Sequence, residues 1–305
     1  MRAPSTPCLK QRCGLRNNIL KTIMGNIPFD KILVTGASGM VGSYVDFGIK
    51  TDHRSLDVTN LGKVLRMCEL HKPEVILHLA AETDVDRCER NPEYAYTINS
   101  IGTYNMALAA KNFGAKLVYI STAGVFDGTK EGPYNEDDVP NPQNYYGRSK
   151  YVGELVIKGM LKDYIIARAC WMFGGGPGKD RKFVAKIIKQ LDQPEIKAVN
   201  DKIGSPTYAK DLISGIKKLL VADKVGTYHL SDKGVCSRYD VAMEIVKTLK
   251  PSAKVVSVDS SHFKLDAARV YSEAMVSRED LTRPWQEALE EYLRAEWISV
   301  DQRRI

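Results

Sequence analysis

Short, wholly apolar runs separated by longer amphipathic stretches recur along the first 170 residues. KILVTGA (31–37), EVILHLA (74–80), KLVYISTA (116–123) and YIIARAC (164–170) are apolar at consecutive positions, the pattern of strands covered on both faces. Between them, stretches near 39–48, 59–71, 93–113 and 146–161 predict helices. This βαβ rhythm predicts an α/β fold built on a doubly wound parallel sheet. After Trp171 the rhythm stops. GGGPGKD (174–180) predicts a loop, 181–191 a helix and NDKIGSPTY (200–208) a set of turns. GTYHLSD (226–232) predicts a returning strand, and RPWQEALEEYLRAEW (283–297) an amphipathic helix.

Charge narrows the classes of function. The chain of 305 residues carries a net charge of +7, but Arg2, Lys10, Arg12, Arg16 and Lys21 lie in residues 1–29, which hold no acid. The remainder is close to neutral, without the clustered basic surface that nucleic acid requires. No run approaches the roughly 18 apolar residues that a bilayer span needs, and residues 1–29 lack a secretory core. They read as a disordered or leader extension, with Met24 a second candidate start. The six cysteines form no CxxC or CxxH pair, which predicts reduced thiols, no metal site and a cytoplasmic protein.

The first strand runs directly into TGASGMVG (35–42), where Gly36, Gly39 and Gly42 are spaced GxxGxxG. Glycines at the end of a first strand allow a tight turn whose backbone approaches a pyrophosphate at a helix N-terminus. Ser38, Met40 and Val41 belong to the same turn. An acid for the adenosine ribose is expected about 20 residues on, and both Asp57 and Asp52 are candidates. Arg54 would favour a 2′-phosphate, and hence NADPH over NADH.

In NYYGRSK (144–150), Tyr146 and Lys150 are four residues apart and share a helix face. Tyr145 points about 100° away. Thr122 closes a buried strand, at the sheet edge where α/β ligands bind. A phenol titrates near 10, and lowering it by about two to three units costs roughly 3–4 kcal/mol. One ammonium about 4 Å away supplies about 4 kcal/mol at an effective dielectric near 20. Lys150 is therefore large enough in effect to make Tyr146 a proton donor.

With this hydroxyl–Tyr–Lys set in place, the chain resembles the extended short-chain dehydrogenases/reductases, and among them the dTDP-4-dehydrorhamnose reductases. The motifs are VTGASGMVG, LDVTN (56–60), HLAAETDVDRCE (78–89), NPEYAYTINSIGT (91–103), STAGVFDGT (121–129), YYGRSKYVGE (145–154), RACWMFGGG (168–176), DKIGSPTYAKDL (201–212) and GTYHLS (226–231). The resemblance implies a Rossmann-type domain over 30–171 and 206–232, and a smaller α/β substrate-binding domain over 172–205 and 233–305. It implies that Thr122, Tyr146 and Lys150 are catalytic. Gly36, Ser38, Gly39, Met40, Val41, Gly42, Asp57, Val58, Ala80, Ala81, Glu82, Thr83 and Asn99, with Tyr146 and Lys150, would bind NADPH or NADH. Thr122, Ala123 and Trp171 would face a nucleotide sugar, and a homodimer is expected.

The chain departs from the reductases at Ala123-Gly124, where they usually carry Asp-Tyr. That departure weakens a dehydratase reading and leaves a nucleotide-sugar epimerase open. A non-catalytic nucleotide-binding subunit, similar to the regulatory subunit of methionine adenosyltransferase, also stays open, because it keeps YxxxK.

Overall fold

A computed structural model describes residues 29–298. The extension expected over residues 1–29 lies outside the described residues up to position 28. From one edge to the other, a six-stranded sheet runs Gly226–His229, Tyr164–Ala169, Lys116–Thr122, Val75–His78, Ile32–Thr35 and Ile49–Lys50. All its pairings are parallel. The chain builds outward from Ile32–Thr35 to one side, then crosses to Val75–His78 on the other. This creates a switch point between those two strands, where open α/β sheets bind ligands. The doubly wound Rossmann-type expectation holds, and the strand from GTYHLSD does return to the sheet edge.

Alternate side chains of the buried strands serve two cores. Ile32, Val34, Leu77, Val118 and Ala167 pack with Leu212, Ile216 and Leu220 of the helix Ala209–Val221. Leu33, Ile76, Leu117 and Ile166 face the opposite way, onto Val64, Cys68, Met106 and Ile157. Covering both faces explains the uninterrupted apolar runs.

Three predicted helices need correction. The stretch 39–48 is not a helix but a single 3-10 turn, Val41–Tyr44, followed by the short strand Ile49–Lys50. Gly42 lies so close to Ala37 that a Cβ would stand 2.4 Å from its carbonyl oxygen. Only four residues then separate the turn from the strand, too few for further helical turns. The predicted helix 93–113 is helical throughout, but it comprises Pro92–Tyr96, a π-helical turn Thr97–Ile101 and Gly102–Phe113. Residues 181–191 shorten to Phe183–Ile188.

A second core gathers Phe173, Val184, Ile187, Tyr208, Ile245, Trp285, Leu289 and Tyr292. There Ile203–Gly204 pairs antiparallel with Cys236–Ser237 and parallel with Ser272–Glu273. The predicted terminal helix begins at Trp285 and passes from Trp285–Tyr292 into a π turn, Leu293–Ile298. Tyr44 ties the two cores together. Its hydroxyl accepts from Gly175 N and donates to Glu296 Oε1, both at 2.6 Å.

Candidate active site

The helix Tyr145–Met160 starts where Asn144 caps it, its Oδ1 accepting from Gly147 N at 2.8 Å. A Cβ on Gly147 would stand 2.1 Å from the carbonyl oxygen of Gly124. That contact seats the helix start directly against the end of the strand Lys116–Thr122. Thr122 Oγ1 accepts from Gly124 N at 3.0 Å and reaches the hydroxyl of Tyr146. Tyr145 faces elsewhere, edge-on to Tyr96 and under the guanidinium of Arg148. Of the two tyrosines, only the second meets the threonine.

Lys150 is buried one turn further on, its Nζ 4.1 Å from the centre of the Tyr119 ring. Burial pushes its ammonium down to about 7, against the nearby charge of Glu154. Burial also raises the Tyr146 phenol, opposed by the Thr122 hydrogen bond. Within the protein's own field, then, Tyr146 keeps its proton and Lys150 is poised near neutrality. The depressed phenol expected from the lysine alone is not what these surroundings produce, because desolvation acts on both groups.

Asn99 sits in the π turn, a feature frequent at functional sites. Its Nδ2 donates to Glu82 O at 3.1 Å and to Ser149 Oγ at 3.0 Å, while Oδ1 accepts from Glu82 N at 2.9 Å. Ser149 Oγ in turn donates to Tyr146 O. One buried amide thus joins the loop after Val75–His78 to the helix bearing Tyr146 and Lys150. Beneath it, Thr35 Oγ1 donates to His78 Nδ1 at 2.8 Å, and His78 Nε2 donates to Thr103 Oγ1 at 3.3 Å. This tautomer follows because Thr103 gives its own proton to Asn99 O. Burial and the Lys150 charge hold His78 down to about 3, so the imidazole is neutral.

The turn from Gly36 to Gly42 lies at the switch point, with Ser38 and Gly39 exposed and Met40 and Val41 half-buried. Gly36 has a positive φ of 67°, and a Cβ there would stand 2.7 Å from Ala80 N. This backbone-lined cradle fits a dinucleotide pyrophosphate. The helix N-terminus expected behind it is replaced by the 3-10 turn. Asp57 and Val58 hold the next loop, where Asn105 Nδ2 donates to the carbonyls of Val58 and Thr59. Asp57 Oδ1 accepts from Thr59 N and Oγ1, and Asp52 caps the exposed turn containing Arg54. Ala80 and Ala81 follow the third strand in the chain. Glu82 turns its carboxylate onto Thr83 N, Asp84 N and Arg87, while Asn99 holds its backbone N and O.

Three charged residues that no motif marked also meet here. Lys182 Nζ donates to Thr83 O and Oγ1, bridging the two cores. Arg238 lies 3.6 Å from the centre of a Trp171 ring, and Glu273 Oε2 accepts from Trp171 Nε1 at 2.8 Å. Ala123 is buried in the turn after Thr122. The arrangement offers a protonated phenol, a hydroxyl and a buried amine beside a phosphate-sized cradle, the parts of a carbonyl reductase.

Comparison with known proteins agrees with this geometry. The model of the RmlD substrate binding domain matches residues 30–297. The spore coat polysaccharide biosynthesis protein SpsK of Bacillus subtilis is 34% identical, over 89% of this chain and 99% of its own. A dTDP-4-dehydrorhamnose reductase of Mycobacterium tuberculosis is 32% identical, over 90% and 96%. The crystal structure of the Bacillus anthracis dTDP-4-dehydrorhamnose reductase in complex with NADP superposes with a TM-score of 0.82 at 36% identity, over 87% and 98%.

Proposed function

The chain belongs to the family of the RmlD substrate binding domain, and on that footing we propose that it is an NADPH-dependent reductase of a nucleotide-linked 4-keto-6-deoxy sugar, in the manner of dTDP-4-dehydrorhamnose reductase. The observation that carries the reading is the Thr122–Tyr146 contact beside buried Lys150, at the switch-point edge of the sheet.

NADPH would supply hydride for the carbonyl carbon when bound. Gly36, Ser38, Gly39, Met40, Val41 and Gly42 would hold its pyrophosphate, Asp57 and Val58 the adenosine, and Ala80, Ala81, Glu82 and Thr83 the length between. Arg54, exposed in the turn after the second strand, supports the phosphorylated dinucleotide. Thr122 holds the carbonyl oxygen against Tyr146, and the Tyr146 hydroxyl gives that oxygen its proton. The phenolate left behind draws Lys150 to its ammonium form, since an amine near 7 gains charge readily beside an anion. Asn99 keeps Tyr146 and Lys150 in register with the loop at Glu82. Trp171 and Ala123 line the sugar pocket.

The supply of reduced dinucleotide and, among the described residues, the buried free thiols of Cys68, Cys88, Cys170 and Cys236 support a cytoplasmic protein. Among the described residues, no helix is long and apolar enough to cross a membrane. A homodimer is supported by Ile101, Tyr104 and Leu155, exposed on two neighbouring helical segments.

Purified protein given NADPH and dTDP-4-dehydrorhamnose should lose reduced-nicotinamide absorbance and yield the dTDP-linked 6-deoxyhexose. Absence of oxidation with every nucleotide-linked keto-sugar supplied overturns the reading.

A further inference from the structure

Ala123 and Gly124 bring no polar side chain to the sugar side of Thr122. That space is served from elsewhere in the chain. A Cβ on Gly124 would stand 3.4 Å from Thr122 Oγ1 and 3.6 Å from Oε1 of Glu273. The two oxygens therefore flank a single point. Glu273 arrives on the strand Ser272–Glu273, whose pairing with Ile203–Gly204 sets its register.

Its carboxylate is held in place. Oε2 accepts from Trp171 Nε1 at 2.8 Å, and Trp171 is itself constrained. It has a positive φ of 40°, the Arg238 guanidinium lies over its ring, and Gly204 lies under it, where a Cβ would stand 2.4 Å away. Backbone strain of this kind persists where the surroundings over-determine it, often at ligand sites. With Oε2 engaged, Oε1 faces Gly124. The Glu273 charge also contributes to raising the Tyr146 phenol, which places the carboxylate within electrostatic range of the proton donor.

An ionised carboxylate only accepts hydrogen bonds, so its partner in a sugar is a hydroxyl. Because Thr122 Oγ1 and Glu273 Oε1 flank one point, a ring whose carbonyl oxygen met Thr122 and Tyr146 would bring a substituent of an adjacent carbon within reach of Oε1. We propose that Glu273 is a specificity-determining residue that accepts a hydrogen bond from the hydroxyl on the carbon beside the reacting carbonyl, so that the site selects α-hydroxy keto sugars over their deoxy counterparts. The proposal rests on the reductase reading above.

The test compares dTDP-4-dehydrorhamnose with its 3-deoxy counterpart, using wild type, Glu273→Gln and Glu273→Met with NADPH. A site built around a hydroxyl rejects the analogue that lacks it. Wild type should therefore prefer the hydroxylated sugar by about 100-fold in kcat/KM, the size of a charge-assisted hydrogen bond. The preference should fall to about 10-fold or less in Glu273→Gln and to parity in Glu273→Met, mainly through KM. NADPH affinity should be unchanged. Glu273→Gln keeps an acceptor for Trp171, so its indole fluorescence should match wild type and report a folded site if Glu273→Met fails to fold. An unchanged preference, or equal loss on both sugars, overturns the proposal and leaves Glu273 as an anchor for Trp171 only. If wild type reduces neither sugar, the reductase reading fails by itself. Calorimetric affinities of the two sugars for wild type and Glu273→Gln then decide the hydroxyl contact, with equal affinities in wild type counting against it.

Discussion

The ammonium of Lys150 lies 4.1 Å from the centre of the Tyr119 ring, while the Tyr119 hydroxyl donates to the Lys150 carbonyl oxygen at 3.2 Å. One aromatic residue thus holds both ends of the lysine. The ring offers its negative face, and the nearest carboxylate, Glu154, is engaged by Arg168 and Ser121. Burial therefore dominates and brings the amine to about 7.

That value makes stability depend on pH in a defined direction. Below pH 7 the lysine is charged both folded and unfolded, and its burial is a penalty. Between about 7 and the unfolded value near 10.4, the unfolded chain binds more protons, so stability rises with pH. Lys150→Met should therefore melt higher than wild type at pH 6. The gap should narrow progressively above pH 7, as read from thermal midpoints without cofactor. A gap that widens with pH would contradict the assignment.

Tyr146→Phe removes the hydroxyl that meets Thr122. Turnover should fall by about 10²–10⁴, with NADPH affinity within a few-fold of wild type by fluorescence titration. Tyr145→Phe should leave turnover nearly unchanged, because its ring packs against Tyr96 and Arg148. Equal losses in the two variants would remove Tyr146 from its role.

Gly204→Ala puts a methyl group into the Trp171 ring. Overpacking of this kind costs about 1–3 kcal/mol, and here it displaces the indole from Glu273 and Arg238. The expected result is a raised KM for the sugar and a shifted indole emission, with NADPH affinity unchanged. Unaltered emission and KM would show that the ring moves aside without consequence.

Asp232 is fully buried, and its Oδ2 accepts from Tyr208 N at 2.8 Å. Burial, aided by the charge of Asp211, raises it to about 8. The folded protein thus holds a proton that the unfolded chain releases near pH 4, and stability falls as pH rises from about 4 to 8. Asp232→Asn removes that dependence. Its melting advantage over wild type should grow across this window and level off above pH 8.

The legible parts of the sequence were those where one residue type meets one physical demand. Buried parallel strands need apolar side chains on both faces, so ILVT, VILH and KLVYIST were plain. Tyr146 and Lys150 were legible because helix geometry fixes their spacing, and Asn144 and Asn60 cap as their type suggests. The strand Ile49–Lys50 was hidden by its shortness and polarity. The false helix at 39–48 came from the expectation that a glycine turn opens a full helix, whereas Gly42 is packed against Ala37. Glu273, Arg238 and Lys182 left no signal. Each is a single charged residue that belongs to no motif, brought to Trp171 or Thr83 only by tertiary pairing.

The hydrogen bond from Tyr44 to Glu296 joins residues 252 positions apart. During synthesis, the turn that carries Tyr44 emerges long before the glutamate that completes its support. The nascent chain can thus assemble the strand Ile32–Thr35 and its glycine turn early, whereas the contact that ties Tyr44 to the second core waits until translation has passed Glu296. Contacts between residues this far apart form slowly, so the docking of the second core onto the Tyr44 turn should be a late step of folding.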